Sequence, residues 1–404
     1  MSSLLSLFIG GLGLTAGMTA IEIGGSNFRI NLFSFLLAIS VCLAIIHNRQ
    51  IVIENNKYDK KLLLYYSVAV FFAILGLIIY RGIWQGASAR ALFTTLLGEV
   101  GFVLFLPFSQ RSKLSANFIA GLKVNCLIQS IWAILQFTLF TILRIPLNYR
   151  LGLANASSRM DVAHQVTGLG NERAQFCLLL LIGIIITKST FIKIIFSIAI
   201  ILTESRSGII MLIVLAIFSI DKSKIKKELH NITRIKLVRN LLIVVGMVIV
   251  FYYIAPFVLN LRARFDDIST DASGMRHLSY YTRLPELVMD KVKIYTSLLG
   301  YGLAKSGYPY ALYYGTRGIT GLTNAWSVES SWVNIFWESG IIGFLFWLNW
   351  IIYAIKQSFS IDRKIFGLYV SVLIGGIFYQ LFPNFITISL IMVTNYYSTQ
   401  KFHS

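Results

Sequence analysis

The arginines of this chain are the residues whose positions most clearly suggest chemistry. Arg206 lies in the hairpin 203–208 (TESRSG), which separates two apolar runs. The small neighbours Ser205, Ser207 and Gly208 allow close backbone approach and leave the start of the following helix free to face an anion. A planar guanidinium matches phosphate oxygens bidentately and keeps its charge in a low-dielectric site. We therefore predict that Arg206 binds a phosphate or diphosphate group.

Further arginines occupy loops that we expect on the same side of a membrane as this hairpin. They are Arg144, Arg150, Arg159 and Arg173 in one loop, and Arg262, Arg264, Arg276, Arg283 and Arg317 in another. Short extracytoplasmic loops usually avoid cations, so membrane topology does not account for them. Alternatively, each pairs with a nearby acid or extends to the interface. From this group we select Arg173 and Arg276 as anion ligands, with His277 as a second titratable candidate.

Aromatic side chains are concentrated in the longer of these loops and at its border. They are Tyr280, Tyr281, Tyr301, Tyr308, Tyr310, Tyr313, Tyr314, Trp326 and Trp332. Flat rings with polar tips suit sugars, and we select Tyr280, Tyr301 and Trp332 as substrate-binding candidates. An interfacial aromatic belt has the same composition, so that alternative stays open.

The elements that position these residues are transmembrane helices. The chain has 404 residues, of which 56% are hydrophobic and 13% charged, so lipid must be the solvent for most of it. We predict an all-α polytopic membrane protein with a single membrane domain over residues 1–404. The twelve predicted helices are 4–21, 30–47, 62–80, 91–108, 117–143, 174–187, 190–203, 207–220, 240–258, 333–355, 365–382 and 385–398.

The charge distribution orients this arrangement. The net charge is +19, and lysines cluster in alternate loops, which is the positive-inside pattern and argues against a nucleic-acid partner. Both termini and the lysine loops are then cytoplasmic, with membrane lipid as a partner. Residues 259–331 form a large periplasmic loop, and apolar spacing over 278–298 predicts an amphipathic helix on the membrane face. The predicted location is the bacterial inner membrane.

Three stretches of the chain resemble the O-antigen ligase and polymerase superfamily of bacterial membrane glycosyltransferases. The first is the hairpin at 202–208. The second runs from 273–276 (SGMR) through 298–302 (LLGYG), and the third is 329–343, which contains the sequence ESGIIG. Their order and spacing, with about twelve helices and one large outer loop, cover the C-terminal half. The N-terminal half matches only in hydropathy.

This resemblance implies a C-type glycosyltransferase fold and a mechanism. The enzyme would take a glycan from an undecaprenyl-diphosphate-linked oligosaccharide and join it to an acceptor hydroxyl at the periplasmic face, without a cofactor or a metal. Arg206 and Arg276 would hold the diphosphate and stabilise the charge that develops on it. A protein that regulates chain length is a further partner that the resemblance suggests.

One departure from the family pattern favours a polymerase over a ligase. Where typical ligases place a histidine near the acceptor hydroxyl, eleven residues before Gly340, this chain has Glu329. A glutamate within hydrogen-bond reach can act as a general base. Alternatively, Glu329 caps the following helix or pairs with an arginine.

The leading hypothesis is therefore a polymerase that joins lipid-linked repeat units into O-antigen, capsule or exopolysaccharide. The catalytic candidates are Glu329, Arg206 and Arg276. One alternative is an O-antigen ligase that transfers the glycan to lipid A core or to protein. Another is a lipid-linked oligosaccharide flippase, although the internal repeats typical of such transporters are not visible.

Overall fold

The protein is described by a computed structural model that covers residues 2–11, 19–23, 28–31, 35–36, 39, 57–79, 112–150, 166–169, 173–219, 278–302, 306–318, 328, 330–378 and 384–403. The elements in chain order are α1 (Ser2–Gly11), β1 (Thr19–Ile23), β2 (Phe28–Asn31), α2 (Lys57–Ile79), α3 (Ser112–Leu143), α4 (Leu147–Arg150), α5 (Arg173–Ile186), α6 (Thr190–Leu202), α7 (Arg206–Ser219), α8 (Leu284–Glu286), a π-helical turn (Leu287–Lys291), α9 (Ile294–Leu299), α10 (Tyr308–Gly318), α11 (Ser331–Ile361), α12 (Arg363–Phe378) and α13 (Asn384–His403).

These residues are predominantly helical, as predicted, with one exception near the N-terminus. The first helix ends at Gly11, and β1 and β2 form an antiparallel pair in which Ile21 faces Ile30 and Ile23 faces Phe28. The helix predicted over 4–21 is confirmed as far as Gly11 and is wrong over 19–21, which lie in β1, whereas 12–18 lie outside the described residues. Alternating β-branched residues favour the extended pairing over a continuous helix.

The apolar segments of the described C-terminal half coincide with the predicted helices. For example, the prediction of 174–187 corresponds to α5, and the prediction of 333–355 corresponds to α11. Within the part of the chain that the structure describes, two helices are long and apolar enough to cross a membrane, over Ala116–Leu143 and Ser331–Ile361. The predicted helices 91–108 and 240–258, and most of 30–47, lie outside the described residues.

Helix α12 runs antiparallel to both α7 and α11. Against α7, the Ser371 hydroxyl donates to the Met211 carbonyl over 3.0 Å, and the Phe218 and Phe366 rings lie 5.2 Å apart. Against α11, the Trp332 indole N–H donates to the Leu373 carbonyl over 3.3 Å. The starts of α7 and α11 therefore lie together, next to the C-terminal end of α12.

Helix α2 packs against α11 in the same antiparallel sense. The Tyr65 and Phe346 rings lie 6.2 Å apart, and a side chain on Gly343 would contact Phe72. The C-terminal end of α2 thus joins the starts of α7 and α11. We call this end of the bundle the arginine end, because Arg206 opens α7 there.

Lysines mark the opposite end of the bundle. The start of α2, the turn between α5 and α6, and the junction of α11 with α12 all lie there. These places carry Lys57, Lys60, Lys61, Lys188, Lys193, Lys356, Arg363 and Lys364. These helix ends thus keep lysine away from the Arg206 hairpin, as a positive-inside arrangement requires, whereas Lys291 and Lys293 belong to residues 278–302 at the arginine end. Which end faces the cytoplasm stays a prediction.

Candidate functional site

The hairpin before α7 is held by its own small polar side chains. The Thr203 hydroxyl donates to the Ile200 carbonyl over 2.6 Å and accepts from the Ser205 N–H over 3.1 Å. The Ser205 hydroxyl in turn accepts from the Gly208 N–H over 3.2 Å, so Ser205 caps α7. Glu204 has a φ of 52°, a left-handed conformation that is costly for a residue with a side chain.

This turn places Arg206 at the first position of α7, half-buried. The positive end of the helix dipole lies at the same point, and it adds to the guanidinium charge. Backbone N–H groups of a first helical turn have no partner within the helix. The start of α7 therefore combines the two features that favour an anion, a fixed cation and a helix N-terminus.

Arg173 opens α5 at the same end of the bundle. Cys177, one turn later on the same face, lies with its sulfur 3.2 Å from the Thr203 hydroxyl. A methyl group on Gly208 would lie 2.3 Å from that sulfur, so α5 and α7 touch in their first turns. The structure thus brings the helix starts that carry Arg173 and Arg206 side by side.

Residues 168 and 169, which precede α5 in the chain, are held by a buried network on α3 and α4. The Leu169 N–H donates to the Gln129 side-chain oxygen over 2.8 Å. The Asn148 amide donates to the Gly168 carbonyl over 2.8 Å, and the Trp132 indole donates to Asn148 over 2.9 Å. This network was not predicted, although the turn-rich sequence around Gly168 is consistent with a fixed turn there.

The start of α11 forms the third component of the arginine end. Ser330 caps this helix by accepting from the Val333 N–H over 3.4 Å. The Tyr281 hydroxyl donates to the Ile377 carbonyl over 2.8 Å and lies 2.6 Å from the Ser330 hydroxyl. Residues 278–282 are thereby attached to the start of α11 and to the C-terminal end of α12.

Three predicted site residues, Glu329, Arg276 and His277, lie outside the described residues. Their described neighbours in sequence are Ser330 and Leu278, both in segments at the arginine end. The roles assigned to these three side chains stay predictions.

The predicted substrate-binding tyrosines are buried in an aromatic cluster. Tyr280 is 1% exposed and Tyr301 3% exposed. The Tyr310 hydroxyl donates to the Tyr280 carbonyl over 2.6 Å, and burial raises the pKa of Tyr310. The Tyr301 ring lies 5.9 Å from the Trp337 ring, nearly edge to face. In this conformation the Tyr280 and Tyr301 rings pack inside the cluster and help to hold residues 278–302 in place.

Trp332, the third aromatic residue predicted to bind substrate, is less buried than Tyr280 and Tyr301. Its ring is half-buried and lies 5.2 Å from the Trp347 ring at nearly a right angle. Because its indole N–H donates to the Leu373 carbonyl, the side chain is oriented by α12.

The described residues 278–302 and 306–318, which we call the outer segment, carry a charged group on their surface that was also not predicted. The Tyr314 hydroxyl donates to the Glu286 carboxylate over 2.6 Å, and Lys291 pairs with the same carboxylate at 3.3 Å. The Arg283 guanidinium lies 4.3 Å from the Tyr314 ring centroid. The Tyr314 hydrogen bond, and then the two cations, hold the pKa of Glu286 below its usual range. Sequence spacing cannot show this group, because α10 and α8 come together only in the folded chain.

Residues 191–348 match the family described as O-Antigen ligase. The matched range runs from α6 into α11 and includes Arg206. This match confirms the resemblance to the O-antigen ligase and polymerase superfamily, whose members are glycosyltransferase-like enzymes of O-antigen processing. No curated protein and no solved structure matches the chain.

Proposed function

We propose that the protein is a polymerase at the outer face of the bacterial cytoplasmic membrane. It joins polyprenyl-diphosphate-linked oligosaccharide repeat units into O-antigen, capsule or exopolysaccharide. The arginine end faces the periplasm, and the undecaprenyl chain of the donor lies in the bilayer. A chain-length regulator protein is a further partner in this proposal.

One observation carries this proposal: the starts of α5, α7 and α11 lie together at one end of the bundle. Two of these helices begin with an arginine, and the third begins at Ser331, two positions after Glu329. A cation at a helix start suits a diphosphate, and a carboxylate suits a hydroxyl that must lose its proton. Glycosyl transfer from a lipid diphosphate needs a cation at the diphosphate and a base at the acceptor hydroxyl. Candidates for both occur at or just before neighbouring helix starts.

The proposed reaction follows from these roles. Arg206, Arg173 and Arg276 hold the diphosphate of the donor, and Glu329 accepts the proton of the acceptor hydroxyl. The acceptor oxygen forms a bond to the anomeric carbon while the bond from that carbon to the diphosphate oxygen breaks. The polyprenyl diphosphate leaves with the bonding electron pair. Each prepositioned cation that meets this charge contributes about 2–4 kcal/mol to lowering the barrier.

A ligase is the second candidate, because the matching family is described as O-Antigen ligase. Both activities use the same kind of donor and differ in the acceptor. Glu329 stands where ligases of the family are expected to have histidine, and this departure favours the polymerase.

Reconstitution distinguishes the two activities. Purified protein in liposomes receives the host's polyprenyl-diphosphate-linked repeat unit, and the products are separated on a gel. A ladder of increasing length identifies a polymerase. Product that forms only after lipid A core or a protein acceptor is added identifies a ligase. No product with either acceptor would overturn both.

Variants then assign the residues. Glu329→Gln should remove the ladder while leaving donor binding intact, because the amide cannot accept the proton. Arg276→Ala should abolish product by weakening the hold on the diphosphate. Arg144→Ala is the matched control, since Arg144 is exposed at the end of α3 and lies over the Phe140 ring. It removes one positive charge without touching the proposed site.

A further inference from the structure

Two glycines that are 40 positions apart in the sequence place their backbones in direct contact. Gly300 has a φ of 83° and Gly340 a φ of 67°, a region that residues with side chains rarely adopt. A methyl group on Gly340 would lie 2.2 Å from the Leu298 carbonyl oxygen, and one on Gly300 would lie 2.4 Å from the Glu338 oxygen. Both contacts are to backbone atoms, so no side-chain movement relieves them.

The contact coincides with a break in α11. Gly340 departs from helical geometry within this helix. Just before the break, the carbonyls of Trp337 and Glu338 accept from the N–H groups of Tyr301 and Gly302, over 2.7 and 3.0 Å. The outer segment therefore supplies hydrogen-bond donors to the broken helix, as a buried backbone carbonyl requires.

A third glycine, Gly76 in α2, packs against the backbone of Gly300 and Gly302. A methyl group on Gly76 would lie 2.8 Å from both the Gly300 oxygen and the Gly302 nitrogen. We call the contact of Gly76, Gly300 and Gly340 the glycine clasp. Three separate elements approach at backbone distance there, which only residues without a side chain permit.

The outer segment has a second attachment to α11 at the start of that helix. There, Tyr281 contacts Ser330, ten residues before Gly340. Ten helical residues span about 15 Å. Between the two attachments, the Tyr301 ring packs on the Trp337 ring. The segment is therefore held along the first three turns of α11 and not at a single point.

We propose that the glycine clasp is a positioning device for glycosyl transfer. It holds the segment that follows Arg276 and His277 in fixed register against the helix that follows Glu329. The clasp thereby sets the separation between the groups on the donor diphosphate and the group at the acceptor hydroxyl. This inference rests on the proposed function, but its geometric part does not depend on it.

The cleanest variant is Gly76→Ala. Gly76 lies within α2, where alanine is intrinsically more favourable than glycine in a helix. Any loss must then come from the contact with Gly300 and Gly302. We expect kcat to fall at least tenfold, with the KM for the lipid-linked donor changed by less than about threefold. Gly11→Ala is the matched control, because a methyl group there meets nothing within 4 Å.

A distance measurement separates this inference from the proposed function. Spin labels replace Leu278 and Ile352, which are exposed on the outer segment and on α11 beyond the break. Cys42→Ser removes one thiol, and Cys126 and Cys177 are buried. The distance distribution should be narrow in the parent and should broaden in Gly76→Ala. It should stay narrow in Gly11→Ala. This readout holds whatever reaction the enzyme catalyses.

The distance distribution and kcat together test the proposal. A broadened distribution together with lowered kcat supports the proposal. An unchanged distribution, or a broadened one with unchanged kcat, overturns it. If Gly76→Ala does not insert, Tyr281→Phe replaces it, since this change removes only the hydroxyl that attaches the segment to Ser330 and Ile377. The same pair of results is then required.

Discussion

The hydroxyl oxygens of Tyr281 and Ser330 lie 2.6 Å apart, although the two residues are 49 positions apart in the chain. Tyr281 follows the Arg276-His277 pair, and Ser330 follows Glu329. The contact therefore connects the two parts of the chain that carry the candidate groups for donor and acceptor. Since Ser330 also caps α11, the direction of this helix and the position of the outer segment depend on each other.

Arg206→Ala should lower the rate of polymer formation by about 10²–10³-fold, because one prepositioned cation at the diphosphate is lost. Arg206→Lys should also be impaired, since an ammonium does not reproduce the bidentate contact. The measurement is the initial rate of ladder growth in liposomes at equal protein insertion. Normal rates in both variants would exclude Arg206 from the site.

Gly208→Ala should destabilise the protein by about 1–3 kcal/mol through overpacking. The new methyl group would lie 2.3 Å from the Cys177 sulfur, at the contact that joins α5 and α7. Adding Cys177→Ala removes that sulfur and should recover part of the loss. Thermal unfolding in detergent compares the parent, both single variants and the double variant. Strictly additive losses would show that the two residues do not touch.

Replacing Glu204 tests the cost of its left-handed backbone, whose φ is 52°. Glu204→Gly and Glu204→Val both remove the carboxylate, so the comparison between them isolates the backbone. Glycine adopts this conformation freely, whereas a β-branched residue resists it. We expect the valine variant to be less stable than the glycine variant by about 1–2 kcal/mol. Equal thermal stability would argue against the turn geometry described for residues 203–206.

The contribution of the Glu286 carboxylate to stability should depend on pH. Its pKa in the folded protein lies below the ordinary value of 4.5, chiefly because the Tyr314 hydroxyl donates to it. The stabilisation is therefore fully present above about pH 4.5 and is lost as the pH falls through the lowered pKa. Burial, followed by Glu286 itself, raises the pKa of Tyr314 to about 12, so the phenol stays protonated throughout.

Thermal unfolding of the parent and of Tyr314→Phe, followed from pH 7 to pH 3, checks this dependence. The difference in unfolding temperature between the parent and Tyr314→Phe should be widest near neutral pH and should narrow on acidification. A gap that is constant over the range would mean that the hydrogen bond does not act on the ionised carboxylate.

The turn between the π-helical residues and α9 should rest on the lipid headgroups. Met289 is 82% exposed and Ile294 77% exposed, and Lys291 and Lys293 lie between them in the sequence. Apolar side chains next to lysines are typical of interfacial segments. A bimane label on Met289→Cys should be quenched by spin-labelled lipid in liposomes, and a label on Asp290→Cys should be quenched less. An unquenched label at 289 would place this turn away from the bilayer.

The long apolar helices follow from the sequence because lipid imposes their length and composition. The prediction of 207–220 for α7 and that of 365–382 for α12 agree with the structure to within a few residues. The antiparallel pair of β1 and β2 was missed because a hydropathy window does not separate an apolar strand from an apolar helix.

Contacts between residues that are far apart in the sequence could not be predicted from local sequence patterns. The break in α11 depends on Gly300, which lies 40 positions earlier, so no local pattern around Gly340 reveals the contact. Similarly, the residue types of Tyr280 and Tyr301 suit either sugar stacking or packing. Only the fold shows that both rings are buried against other aromatic side chains.

The break in α11 also sets an order of assembly. A newly made α11 that entered the bilayer alone would expose the Trp337 and Glu338 carbonyls to lipid, where each unsatisfied group costs several kcal/mol. The donors that satisfy them belong to Tyr301 and Gly302, which the ribosome completes some 35 residues earlier. The outer segment therefore has to make its contact with α11 before this helix is stable in the bilayer. Truncation between residues 302 and 331 should yield a chain that the cell's membrane quality control degrades.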